Sequence, residues 1–186
     1  MGGYDNSGFL NSAEVYNPAN NSWSTAAAMP TPRDSLGAAA AAYPPGQSGT
    51  CVYAVGGLGS ANYSSTVESY NPATNAWSPV ASLPGARADI GTAATTCPPG
   101  QNGICLYTVG GFNQNGELGT VQSYNPASNL WTDLPPLPTP RYGPAAAAMP
   151  CPVGVAGNCV YTSGGRSGGG LTGALEALDP PQPSRH

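Results

Sequence analysis

The chain repeats itself every 54 residues. Gly-Gly pairs stand at Gly2-Gly3, Gly56-Gly57, Gly110-Gly111 and Gly164-Gly165. Tyr-Asn-Pro begins at Tyr16, Tyr70 and Tyr124, and a tryptophan follows each time at Trp23, Trp77 and Trp131. Arg33, Arg87 and Arg141 each come shortly after a Met-Pro or Leu-Pro, and Cys51, Cys105 and Cys159 keep the same phase. No insertion or deletion disturbs the register. A fixed period of this length means one supersecondary unit used several times, each unit burying its apolar face against the next.

Each period reads as four short strands. The first is made of small residues (Gly37 to Ala42, Gly91 to Thr96, Ala145 to Met149). The second alternates through Cys51-Val52-Tyr53-Ala54-Val55 or Cys105-Leu106-Tyr107-Thr108-Val109 and ends in the glycine pair. The third runs from Thr66 to Tyr70 and stops at Asn-Pro, because proline cannot continue a ladder. The fourth starts near Trp77 and is expected to last until the proline before the next arginine. Joints such as Asn71-Pro72-Ala73-Thr74-Asn75 favour antiparallel hairpins over helices. With 26 Gly and 21 Pro, the composition alone would fit a disordered chain, but ten Tyr, three Trp and regularly spaced Val supply apolar area to bury.

Four strands per ~50 residues, the glycine doublet, the Tyr and Trp at fixed offsets and the Pro-then-Arg resemble the kelch-type β-propeller family. The resemblance covers 1–180, in units starting at 2, 56, 110 and 164. The last unit is incomplete: Leu178 stands where tyrosine is expected and no tryptophan follows. It implies an all-β fold of four-stranded antiparallel blades, about three and a half of them, with 181–186 as a disordered tail. It also assigns structural roles. Gly56, Gly57, Gly110 and Gly111 allow close packing where blades meet, and Tyr70, Trp77, Tyr124 and Trp131 fill the space between sheets. An arc of this size does not close a ring by itself, so the chain is expected to be a fragment of a longer protein or to self-associate.

The cysteines sit at one kind of loop. Cys97 and Cys105 flank Pro-Pro-Gly-Gln-Asn-Gly-Ile, and Cys151 and Cys159 flank its equivalent one period later. A hairpin loop of this length brings its flanks opposite one another, at separations that suit a disulfide. Two disulfides are favoured over reduced buried thiols, and over a metal site, which needs four convergent ligands. Tyr43 takes the partner position of Cys51, which leaves Cys51 as a small buried hydrophobe or as half of an intermolecular pair. Paired cysteines and few charges point to an extracytoplasmic compartment. Asn20-Asn21-Ser22 and Asn62-Tyr63-Ser64 fit the glycosylation pattern weakly.

Several chemistries are disfavoured. The five cations are all arginine, against nine carboxylates, so no basic stripe exists to meet nucleic acid. No apolar run is long enough to span a bilayer, and the opening MGGYDNSG does not read as a signal peptide. The one histidine is His186. The copper site of galactose-oxidase-like kelch proteins needs two, so neither that site nor a His-dependent triad is expected, and no cofactor or metal. Glu14, Glu68 and Glu176 share one repeat position, filled by Gln122 in the third unit, and read as solvated strand positions. The glycine-rich run after Gly164 lacks the Lys-Ser/Thr of a phosphate loop.

Strand alternation places the blade-entering arginines and the second-to-third-strand loops on one face, with the cysteine loops and Asn-Pro turns on the other. The second-to-third-strand loops differ most between units, and varied loops on a constant frame are how a scaffold displays a binding surface. In kelch adaptors that recognise acidic peptides, arginines at such positions line the pocket. Arg33, Arg87, Arg141 and Arg166 match those positions, and could instead bond loop carbonyls and hold blades together. The expected function is a non-catalytic interaction module with a protein or carbohydrate partner. The alternatives are a sugar-acting kelch enzyme or a structural repeat segment of a larger secreted protein. Peptide mapping without reductant is expected to recover the links Cys97–Cys105 and Cys151–Cys159; free thiols at either pair would refute both the pairing and the compartment.

Overall fold

A computed structural model describes residues 1–44 and 49–178; the expected tail at 181–186 lies outside the described residues. In chain order the strands are β1 (Gly3–Asp5), β2 (Gly8–Leu10), β3 (Ala13–Asn17), β4 (Ser22–Ala26), β5 (Gly37–Ala42), β6 (Thr50–Val55), β7 (Val67–Asn71) and β8 (Ala76–Pro79). They continue as β9 (Gly91–Thr96), β10 (Ile104–Val109), β11 (Phe112–Asn113), β12 (Gly116–Glu117), β13 (Val121–Asn125) and β14 (Leu130–Leu134). The last are β15 (Ala145–Pro150), β16 (Asn158–Ser163), β17 (Arg166–Ser167), β18 (Gly170–Leu171) and β19 (Leu175–Leu178). No helix occurs among the described residues.

The strands form two complete antiparallel blades, β5-β6-β7-β8 and β9-β10-β13-β14, flanked by a two-stranded β3-β4 and a three-stranded β15-β16-β19. This is a partial β-propeller. Register repeats with the sequence: Val52 faces Tyr70, Leu106 faces Tyr124 and Val160 faces Leu178. The small first strands follow from their position. β5 packs on β9 and β9 on β15, so closely that a β-carbon on Gly91 would stand 3.1 Å from the Pro144 carbonyl oxygen. The core lies between blades. Tyr53, Val55, Val67, Leu83, Leu106 and Tyr124 fill one interface, and Tyr107, Val109, Val121, Leu137 and Val160 the next.

Two details depart from the sequence reading. The fourth strand is shorter than expected, ending at Pro79 in its blade. Beyond it Val80 N–H still reaches the Val67 carbonyl and Leu83 N–H the Ser65 carbonyl, but the spacing is irregular and the chain is already crossing to the next blade. The second-to-third-strand loops, in turn, carry small hairpins of their own, β1-β2, β11-β12 and β17-β18. Sharp turns account for the recurring Asn before each tryptophan. Asn21, Asn75 and Asn129 have φ of 53, 52 and 56°, a left-handed conformation that asparagine tolerates better than most residues.

The glycine pair closes the blade interface. Gly57 N–H donates to the Arg87 carbonyl at 2.9 Å, and Gly111 N–H donates to that of Arg141 at 2.9 Å. Gly111 has φ of +112°, and a β-carbon there would stand 2.8 Å from the Ala88 carbonyl oxygen. Gly111→Ala is therefore expected to lower unfolding free energy by about 2 kcal/mol in a urea titration. Gly173→Ala, which meets open space, is expected to change it little.

Candidate functional site

The repeated arginines are the most deeply placed charges among the described residues. Arg33 and Arg141 are 0% exposed and Arg87 is 2% exposed. Each enters at the start of a blade and turns its side chain inward, along the strands it introduces. Arg33 Nη1 donates to Glu68 Oε2 at 2.7 Å and to the Thr31 carbonyl at 3.2 Å, and Nη2 donates to the Ala54 carbonyl at 3.2 Å. Thr31 Oγ1 donates to the other Glu68 oxygen at 2.8 Å. Arg141 repeats the arrangement with Glu176 at 2.7 Å and the Gly164 and Ala174 carbonyls. The main chain of the same residues faces the preceding unit, since each carbonyl accepts from that unit's glycine pair. One residue thus ties two units.

This corrects the reading of the shared glutamate position as solvated. Glu68 is 3% exposed, because the third strand is interior and Arg33 compensates its charge. Glu14 alone is exposed. In the second complete blade the position is Gln122, and Arg87 Nη2 instead donates to Thr108 Oγ1 at 2.6 Å. The carboxylate that acts on Arg87 is that of Asp133, which accepts from Gln122 Nε2 at 2.7 Å. Burial draws the Arg87 pKa down to about 10, and Asp133 opposes the shift. The structure therefore buries Arg33, Arg87 and Arg141 and leaves Arg166 as the exposed member of the four matched positions.

The tyrosine, asparagine and tryptophan form a second tie between units. Trp77 Nε1 donates to the Ala27 carbonyl at 2.7 Å, and Trp131 Nε1 to that of Ala81 at 2.9 Å. Asn75 Oδ1 accepts from Ala27 N–H and from the Tyr70 hydroxyl; Asn129 does the same with Ala81 and Tyr124. In the first unit Tyr16 and Trp23 make the same ring contact at 5.2 Å yet are 43% and 69% exposed.

The cysteine loops lie on the opposite face. Cys97 and Cys105 are brought to disulfide distance with Cα atoms 4.8 Å apart, and Cys151 and Cys159 with Cα atoms 4.9 Å apart. Cys51 is a buried free thiol. Burial, partly opposed by a hydrogen bond with Tyr53, pushes its pKa up to about 11. Tyr43, at the partner position, donates from its hydroxyl to Asn71 Oδ1 at 2.6 Å.

The face carrying the varied loops has the relief of a binding surface. A groove of about 570 Å³ runs between the tip of the first hairpin (Ser7, Gly8, Phe9) and the loop from Gly59 to Ser64, floored by Thr31, Pro32 and the buried Arg33. The Tyr63 wall continues as a row of half-buried rings: Tyr63 to Phe112 at 6.2 Å, then Phe112 to Tyr142 at 5.1 Å. At the inner rim, Asp89 N–H donates to the Ser35 carbonyl and Gly143 N–H to the Asp89 carbonyl, both at 2.8 Å. Asp34 and Asp89 come together there, which repeat arithmetic did not show because the two are not equivalent positions. Burial raises the Asp89 carboxyl above its ordinary range; its bond with Ser35 opposes this and the Asp34 charge adds to it. Among the described residues no cluster of three or more His, Cys, Asp or Glu is placed to hold a metal ion, and no helix is long and apolar enough to cross a membrane.

The kelch motif profile matches residues 1–30, 41–84 and 105–138, more than half of the chain. The chain belongs to the kelch-repeat family. It is similar to Kelch-like protein terF of Aspergillus terreus, with 27% identity over 97% of this chain and 37% of that protein. It is also similar to human Kelch-like protein 33, with 33% identity over 74% of this chain and 24% of the relative. Kelch-like ECH-associated protein 1A of Danio rerio is 35% identical over 54% of the chain and 15% of the relative. The chain thus spans well under half the length of these relatives.

A buried arginine left without its carboxylate is costly. Glu68→Gln keeps the shape and removes the charge, and is expected to lower unfolding free energy by about 2 kcal/mol or more in a denaturant titration. Glu14→Gln, at the same repeat position but exposed, is expected to be near neutral.

Proposed function

We propose that the chain is a non-catalytic interaction module that binds a protein partner on the face of the varied loops. The observation that carries this reading is the division of labour within each unit. The repeated residues are spent on the frame, with Arg33, Arg87 and Arg141 turned inward and Trp77 and Trp131 bonded to the preceding unit. The residues that differ between units (Tyr4, Leu58, Phe112 and Arg166 at one position) surround the groove and ring row. Rigid frames with varied loops suit recognition, since little ordering entropy opposes association. The kelch-like relatives support a protein partner over a carbohydrate one.

On this reading the buried arginines serve binding indirectly, by holding the loops, and Arg166 is the member of the set left exposed, bridged to Tyr142 at the end of the ring row. The two cysteine pairs are proposed to act as disulfides in an oxidising, extracytoplasmic setting, where they would brace the opposite face. Self-association belongs to the same proposal: the unpaired edge of β3 and the open Tyr16–Trp23 pair are surface that a second copy would cover.

A random-sequence peptide array tests the reading. Purified protein is expected to bind a subset of peptides, and Tyr63→Ala or Phe112→Ala is expected to remove that binding while Thr74→Ala, at a turn on the opposite face, leaves it. An array without reproducible binders, or binders lost only with Thr74→Ala, would refute the proposed surface.

A further inference from the structure

The inward turn of the arginines changes the sign of the loop face. Three of the chain's five cations are withdrawn from solvent. Among the described residues, that face keeps Asp5, Asp34, Asp89 and Glu117 against Arg166 alone. Three of the four carboxylates accept hydrogen bonds from loops on this face: Asp5 from Ser7 N–H of its own loop at 2.7 Å, Glu117 from Gly168 N–H of the next unit's loop at 2.9 Å, and Asp89 from Ser35. Asp34 and Asp89 are placed differently. They stand at the inner rim, where successive units converge, and neither forms an ion pair among the described residues. Asp34 Oδ1 is shielded from solvent without a hydrogen-bond partner. Its own backbone is already committed, exchanging bonds of 2.9 Å in each direction with Leu58.

Beside these carboxylates lies the aromatic relief. Leu58, bonded to Asp34, is bridged to Tyr63, and Ala88, next to Asp89, is bridged to Phe112. The row Tyr63, Phe112, Tyr142 therefore follows the same inner rim, and the groove opens from the outer side of Tyr63. Ring faces carry negative quadrupole potential and attract ammonium or guanidinium groups within ~6 Å of the centroid. Carboxylates without cations and a row of rings thus favour the same kind of group. Anionic ligands would meet like charge here, which costs affinity and slows encounter.

We infer that this face docks a cationic segment of a partner protein, with arginine or lysine side chains meeting Asp34 and Asp89 while the flanking residues lie along the ring row and groove. The inference rests on the interaction-module reading and adds the chemistry of the partner. It reverses the acidic ligand that the arginine positions imply by resemblance, because position in the repeat does not tell whether a guanidinium faces the ligand or the blade.

Three fluorescein-labelled decapeptides on one Gly-Ser-Pro framework test it, bearing three Arg, three Gln or three Glu at the same positions, followed by anisotropy at low and physiological salt. The Arg peptide is expected to bind at least about tenfold more tightly than the Gln peptide, with the margin narrowing as salt rises. Asp34→Asn with Asp89→Asn is expected to erase that margin. Asp34→Asn alone is expected to reduce it, which keeps the test usable if the double variant melts early. Glu14→Gln, an equal loss of charge away from this face, is expected to leave it unchanged. Equal binding of Arg and Gln peptides, or an equal effect of Glu14→Gln and Asp34→Asn, would overturn the inference. Tightest binding of the Glu peptide, abolished by Arg166→Ala, would overturn it while leaving the interaction module intact. An empty random-peptide array would remove both.

Discussion

The structure depends on an arginine that belongs to two blades at once. Its main chain completes the junction with the glycine pair behind it, and its side chain runs into the blade ahead to reach a carboxylate on the third strand. Burying a guanidinium is unfavourable unless its donors are met, and here the two terminal nitrogens of Arg33 are met by a carboxylate and by main-chain carbonyls. The arrangement is available only if the blade behind, the crossing segment and the blade ahead are all in place. A propeller has few contacts beyond nearest neighbours, so its units cohere through such junctions. The Asn and Trp bonds to the preceding unit work at the other end of the same interface, near the outer strand. The two ties fix both the spacing and the rotation of adjacent sheets.

The second complete blade shows how far this junction tolerates change. Gln122 replaces the glutamate, and Asp133 appears on the neighbouring strand where the other units have Pro79 and Thr25. The negative charge has moved across one strand pair rather than disappeared. Arg87 is correspondingly less well compensated: unlike Arg33 and Arg141 it forms no ion pair among the described residues, and burial draws its pKa down. The cysteine loops show a similar exchange. Where two units place sulfur opposite sulfur, the first places Tyr43 opposite Cys51, and its hydroxyl crosses to Asn71. Both cases keep the loop anchored by different chemistry at one position.

Much of the fold was legible because the period writes each strand several times over. The glycine pair, Asn-Pro and the small first strands located the complete blades to within a residue or so at most ends. The fourth strand was overestimated because nothing in Val80-Ala81-Ser82 marks where the ladder gives way to the crossing. The two-residue strands of the loop hairpins are too short for any alternation to show. The buried Arg33–Glu68 pair was missed although a signal existed: arginine and glutamate recur 35 residues apart in two units, and where glutamate becomes Gln122 an aspartate appears nearby. The candidate site was the least legible part. Asp34 aligns with Ala88 and Tyr142, and Asp89 with Ser35 and Gly143, so comparison by phase assigns them to different places. They meet only because the units converge toward the axis.

That convergence explains why the frame and the surface can evolve separately. At the level of the strands, equivalent residues face equivalent residues and a change in one unit must be matched in its neighbour. At the inner rim the main chain carries the contacts instead: Asp89 N–H to Ser35, Gly143 N–H to Asp89, and the paired bonds of Asp34 with Leu58. Backbone bonds place no demand on the side chain that leaves the same residue. Asp34, Ala88 and Tyr142 therefore occupy one repeat position with an acid, a methyl group and a phenol, at no cost to the junction beneath. Side-chain chemistry at the rim is free to answer to a partner because the arginines below it have already secured the blades.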